Sequence, residues 1–139
     1  MSLVFPDVNV WMALTVNHIH QSVAQDWWRQ EERPIGFCRL TQLGLLRLLT
    51  TSAAMEGKPL SMADAWKTYD VLANDERTEF VSEPPALEHI FRKSSSSAHA
   101  SPKLWADAYL TAFARECGGS LVTFDRSLAR RSRECVLLK

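Results

Sequence analysis

The sequence predicts an α/β fold in which a central, mostly parallel sheet of four to five short strands is covered by helices on both faces. Three observations carry this. Short runs such as Leu121-Val122-Thr123-Phe124 are apolar along their length instead of alternating, as strands buried on both faces are. Longer stretches between them carry apolar residues at helical spacing, as Leu45, Leu46 and Leu49 do. The two kinds of segment alternate along the chain, which is the order that strand–helix–strand units need.

The elements follow in order. Ser2 to Phe5 reads as a buried strand. Asn9 to Val16 and His20 to Glu32 read as two helices joined by a polar break at Asn17-His18. Ile35 to Cys38 is a second strand, entered through Pro34, and Thr41 to Thr50 a helix. Ser61 offers an N-cap, with Asp64 in the first turn, to a helix ending near Asn74. Thr78 to Val81 is a third strand. Pro84-Pro85 starts a helix that ends in the serine tract Ser94 to Ser97, part of a low-complexity loop reaching Ser101. Ser101-Pro102 then supplies a cap and a first helical residue. The helix to Cys117 is apolar nearly all round, so burial is expected, and Gly118-Gly119 stops it. A fourth strand, Leu121 to Phe124, a basic helix from Arg126 to about Arg133 and a last strand, Val136 to Leu138, complete the chain.

A length of 139 residues suits one domain, residues 1–139, and buries enough surface for a core without staples. The formal net charge is zero, so no global field announces a nucleic-acid or membrane partner. Locally, Arg126, Arg130, Arg131, Arg133 and Lys139 face one acid, Glu134, which is either a solvated helix face or a phosphate-facing patch. Cys38, Cys117 and Cys135 form no CxxC pair, which argues against a disulfide framework or a zinc site and for a reducing compartment. No signal-peptide pattern and no membrane-length apolar stretch is expected, so the chain reads as cytoplasmic. His18, His20, His89 and His99 show no ligand spacing and read as surface or capping residues. Trp27 and Trp28 are adjacent on one helix, about 100° apart. One of them is therefore expected on an exposed apolar patch, the mark of a protein interface suited to a partner helix.

Open sheets of this kind form sites beyond the carboxyl ends of their strands, and Asp7 and Asp125 both fall at such ends. Singly, each could cap the helix that follows. Asp107 is different: it is the one charged residue from Leu104 to Ala114. With Ser101 as cap it lies about one and a half turns inside its helix, too deep to serve the orphan amides. A charge on a buried helix must be paired or bound to a metal; the structural explanation is a salt bridge to Arg39, Arg47 or Lys103. Three carboxylates within ~5 Å of one another would repel by about 3 kcal/mol per pair at an effective dielectric near ~20. The sum, about 9 kcal/mol, rivals the stability of a whole domain. Such a cluster needs a cation or raised pKa values, and oxygen-only donors select Mg²⁺ or Mn²⁺. Asn9 and Thr123 are polar neighbours able to orient a water or a carboxylate; their structural explanations are a helix cap and β-propensity.

Four segments, Phe5-Pro6-Asp7-Val8-Asn9-Val10, Thr41 to Thr50, Trp105-Ala106-Asp107-Ala108-Tyr109-Leu110 and Leu121 to Asp125, together resemble the PIN domain, and within it the VapC-type toxins of bacterial toxin–antitoxin pairs. The resemblance spans almost the whole chain. It implies a three-layer α/β/α sandwich and a Mg²⁺- or Mn²⁺-dependent endoribonuclease, with RNA as substrate, a VapB-like antitoxin as inhibitor and a homodimer as assembly. The family's acidic positions fall on Asp7, Asp107 and Asp125. Its fourth acid falls on Gln42, and Asn9 and Thr123 fall on polar site positions. An amide at 42 leaves the site at −3 instead of −4, which weakens a second divalent ion more than a first. Arg126, Arg130 and Arg131 are the candidates for RNA-backbone contact. A catalytically degenerate PIN fold that binds RNA or protein without cleavage is the non-enzyme alternative. An aspartyl-phosphate phosphatase would need a carboxylate where Asn9 stands.

Overall fold

The computed structural model describes residues 2–16 and 18–139. Five strands and seven helices are present among them: β1 (Val4–Pro6), α1 (Val8–Thr15), α2 (Gln21–Gln30), β2 (Ile35–Phe37), α3 (Arg39–Leu49), α4 (Met62–Ala73), β3 (Thr78–Phe80), α5 (Leu87–Ser95), α6 (Leu104–Glu116), β4 (Ser120–Thr123), α7 (Arg126–Arg131) and β5 (Cys135–Leu137). The strands form one sheet in the order β3-β2-β1-β4-β5, and every pairing is parallel. The chain order reverses between β1 and β4, which opens a crevice at the carboxyl ends of those two strands.

The pleat sorts side chains into two cores. Val4, Ile35, Phe37 and Val122 join α1, α3 and α4 on one face. Phe5, Leu121, Leu110, Phe113 and Leu128 build the other with α6 and α7. The sandwich of three layers follows directly from this alternation along β1 and β4. Trp11 is fully buried and stacks on Phe37 with ring centroids 3.7 Å apart.

Several boundaries differ from the sequence reading for local reasons. Asp7, not Asn9, caps the first helix, so that helix begins at Val8. The third begins at Arg39, because the Cys38 amide donates to Thr41 Oγ1 at 3.1 Å. The fifth begins at Leu87, after a turn that holds Pro85 and Ala86. α6 begins at Leu104, behind Lys103, without a side-chain cap from Ser101. It is buried only in its later turns, and Trp105 is 59% exposed. The Asn17 half of the polar break lies outside the described residues.

Trp27 and Trp28 do not supply the expected exposed patch. Both pack against the first core, Trp28 edge-on to Trp11, with the Arg77 guanidinium over its outer face. Two adjacent indoles can both be covered here because a cation shields one of them. The exposed tryptophans are Trp66 and Trp105. No helix among the described residues is long and apolar enough to cross a membrane.

Candidate active site

β1 ends at Pro6, and Asp7 turns the chain into α1. Its Oδ1 accepts the Val10 amide at 3.1 Å, while its own amide donates to the Val122 carbonyl at 2.9 Å. The cap is thereby tied to the neighbouring strand. Gly44 lets α3 lie close on α1: a Cβ there would meet Val8 Cγ2 at 2.6 Å.

On that neighbouring strand, Thr123 is fully buried, and its hydroxyl donates to Asp7 Oδ2. The same hydroxyl oxygen accepts the Asp125 amide at 3.0 Å. Asp125 in turn caps α7, its Oδ1 accepting the amides of Ser127 at 2.8 Å and Leu128 at 3.1 Å. One threonine therefore links the two strand-end aspartates across the crevice.

Asp107 arrives from α6. It is the fourth residue of that helix, in its first turn, not deep inside it. Its side chain is 35% exposed, and Oδ2 accepts from Arg131 at 3.1 Å. The partner expected from sequence was Arg39, Arg47 or Lys103; the one found comes from the last turn of α7, which Asp125 caps.

Burial pushes the Asp7 carboxyl above the usual carboxylate range. Bonds from Thr123 and Val10 pull it down in part, and the charges of Asp107 and Asp125 add to the rise. Asp107 is raised by burial and by Asp125, with Arg131 acting against both. The three acids therefore share one electrostatic neighbourhood, and protein donors already meet part of their demand for positive charge. Among the described residues, no three His, Cys, Asp or Glu side chains form a group that could hold a metal ion. The donor chemistry itself is all oxygen, which fits a hard divalent cation, and Asp107 already holds a cationic group, the Arg131 guanidinium.

Gln42 is buried, and its Oε1 accepts from the Arg39 guanidinium, which lies over the Phe80 ring at 4.6 Å. Asn9 is exposed as the second residue of α1. Arg126 and Arg130 are exposed on α7. The sequence reading named Arg39 only as a possible partner of Asp107 and missed its contact with Gln42, as it missed the use of Arg131 as a partner for Asp107. The spacing from Arg39 to Gln42, three residues on one helix, was a usable signal. The contact from Arg131 to Asp107 crosses 24 residues, and nothing local announces it.

The PIN domain family profile matches residues 4–134. Ribonuclease VapC41 of Mycobacterium tuberculosis is 37% identical over 131 residues, which cover 89% of this chain and 90% of that protein. Ribonuclease VapC44 of the same organism is 37% identical over 128 residues, with 88% and 86% covered. Among solved structures, VapBC2 of Rickettsia felis, bound to a DNA fragment from its promoter, shares the fold with a TM-score of 0.69 over 99% of both chains at 10% identity. Because the family match runs from β1 to the threshold of β5 and takes in all three aspartates and Gln42, the chain belongs to the PIN domain family, on its VapC-type branch.

Proposed function

We propose that the protein is the toxin of a toxin–antitoxin pair, an endoribonuclease that hydrolyses RNA phosphodiester bonds with the help of Mg²⁺ or Mn²⁺. The observation that carries this reading is the pair Asp7 and Asp125, linked through the Thr123 hydroxyl at the crevice where the parallel sheet reverses order. The similarity to ribonucleases of M. tuberculosis supports the reaction class.

Asp7, Asp107 and Asp125 are not gathered into a ready-made metal group in the metal-free chain; they would hold the cation by closing on it. When bound, it would acidify a water and neutralise charge on the phosphate. The chain's own residues do the rest. The caps at Asp7 and Asp125 fix two carboxylates before substrate arrives, which lowers the cost of assembling the reacting geometry. A carboxylate of the site would accept the proton of the attacking water. Gln42, with its amide oxygen engaged by Arg39, adds no charge, so a single cation is the simplest loading. Asn9 stands beside Asp7 as a polar group for water. Arg126 and Arg130, exposed on α7, would hold RNA backbone.

A VapB-like antitoxin is the proposed inhibitor, in line with the paired proteins of the R. felis structure. Exposed Met62 and Trp66, four residues apart on one side of α4, are an apolar surface suited to a second copy of the chain in a homodimer. A cytoplasmic setting fits three free thiols.

The test is cleavage of single-stranded RNA with added Mg²⁺ or Mn²⁺, comparing the parent with Asp107→Asn. Cleavage by the parent and a loss of 100-fold or more, on the order of what removal of a key charged group costs, supports the enzyme. Equal activity in both sinks it. Retention of RNA without cleavage by either would favour the degenerate binding module.

A further inference from the structure

The ion pair between Arg131 and Asp107 has a consequence for cation loading. The guanidinium donates to Asp107 Oδ2 at 3.1 Å, and the two side chains are 48% and 35% exposed. The pair is thus neither sealed in the core nor free in solvent, and water can replace either partner. Arg131 is delivered by α7, whose N-terminus is fixed by two hydrogen bonds that backbone amides donate to Asp125. The acid that follows β4 and caps α7 therefore helps to place a positive charge on the acid of α6. Arg131 also borders a cleft of about 510 Å³ together with Arg115, Arg133, Glu134 and Thr111. A neighbour one residue back, Arg130, donates to the carbonyl of Arg126 on its own helix and pairs with no acid among the described residues.

We propose that Arg131 is a displaceable internal counter-ion that competes with the divalent cation for Asp107. The proposal rests on the reading of Asp107 as a cation ligand. In the free protein the guanidinium neutralises Asp107, and the cation must expel it to gain that carboxylate. Arg131 is accordingly a positioning residue that sets how much cation the site needs, and it raises the threshold for loading. A charge acting only through the general field would not distinguish position 131 from position 130, whereas direct competition does.

Mn²⁺ titration of the full chain, followed by calorimetry and by the shift of the thermal melt, provides the test. The variants are Arg131→Met and Arg130→Met, which remove the same charge one residue apart. Direct competition predicts that Arg131→Met binds Mn²⁺ about two- to fivefold more tightly than the parent, the range that a partly exposed ion pair supports. Arg130→Met should bind within about 1.5-fold of the parent, as expected for a screened surface charge. Equal or weaker Mn²⁺ binding by Arg131→Met overturns the proposal. So does an equal gain in both variants, which would reveal a field effect. If no variant and no parent binds Mn²⁺, the assignment of the three aspartates as cation ligands fails, and the competition fails with it. Melting without metal shows that each variant is folded, which is expected because both side chains are exposed.

Discussion

Replacing Thr123 by valine tests whether one hydroxyl holds the two strand-end aspartates together. Thr123 is fully buried, and valine has nearly the same shape, so packing changes little and hydrogen bonding carries the loss. Two bonds disappear: the one donated to Asp7 Oδ2 and the one accepted from the Asp125 amide at 3.0 Å. A bond to a charged group contributes about 1.5–3 kcal/mol, and a buried amide left without an acceptor costs about 1–3 kcal/mol. Protonation of Asp7 and entry of water offset part of that sum, so a net loss of about 3 kcal/mol is expected. For a domain of this size that lowers Tm by roughly 10 °C. Urea denaturation followed by the fluorescence of Trp11 and its neighbours measures the loss directly. The companion experiment is a double-mutant cycle with Asp7→Asn. If the hydroxyl acts through the carboxylate charge, the loss on Thr123→Val shrinks by at least about 1 kcal/mol in the Asp7→Asn background. A loss below about 0.5 kcal/mol, the level of an ordinary surface substitution, would refute the bridging role. So would an equal loss in both backgrounds.

Asp7→Asn should stabilise the metal-free protein at neutral pH while abolishing cleavage, because asparagine keeps the cap and removes a buried charge. The sign follows from linkage: the folded pKa of Asp7 lies above its unfolded value of about 3.8, so the folded state binds the proton more tightly. Its contribution is fully present below the unfolded pKa and is lost as pH rises through the folded one; subtracting the stability-versus-pH curve of Asp7→Asn from the parent's should isolate that fall. Gly44→Ala should cost about 1–3 kcal/mol through overpacking, because its Cβ would sit 2.6 Å from Val8 Cγ2. Urea midpoints should show the loss, and Val8→Ala in the same chain should recover most of it; no recovery would mean that the contact between α1 and α3 is not the cause.

What was legible in the sequence was whatever a short stretch of chain decides. Continuous apolar runs marked four of the strands, while Thr78 to Val81, interrupted by Glu79, gave only a weak signal for the third; Asp7 and Asp125 were recognisable as residues that end a strand and open a helix. Capping could be read for them because it depends on amides two or three residues away. The boundary of α6 was misread because Ser101-Pro102 is a sound cap signal that the chain does not use; Leu104 instead donates its amide to the Ser101 carbonyl at 3.0 Å. The covered pair Trp27 and Trp28 depends on Arg77, which also donates to the Trp28 carbonyl at 2.6 Å across 49 residues. Contacts of that span carry no periodicity or spacing that a single sequence reveals. The same limit hid Arg131 from Asp107.

Helix cap and active-site acid, the two readings open at the level of sequence, are compatible in the structure. Asp7 and Asp125 both cap helices, and under the proposed function they would divide the two roles between their oxygens. In each, Oδ1 takes the helix amides: Val10 for Asp7, Ser127 and Leu128 for Asp125. The second oxygen lies outside the cap, on Thr123 for Asp7. A cap therefore costs the site little, since a carboxylate has more acceptor positions than helix amides can fill. It also fixes the direction of the remaining oxygen without a dedicated support residue. Asp107 has no such anchor; its carboxylate is oriented by a partly exposed guanidinium and by its place in the first turn of α6. The site is consequently asymmetric, with two acids fixed by backbone and one held by a replaceable charge. Any ligand that alters the site's charge, cation or phosphate, should move Asp107 and Arg131 first and leave Asp7, Thr123 and Asp125 where the sheet has put them.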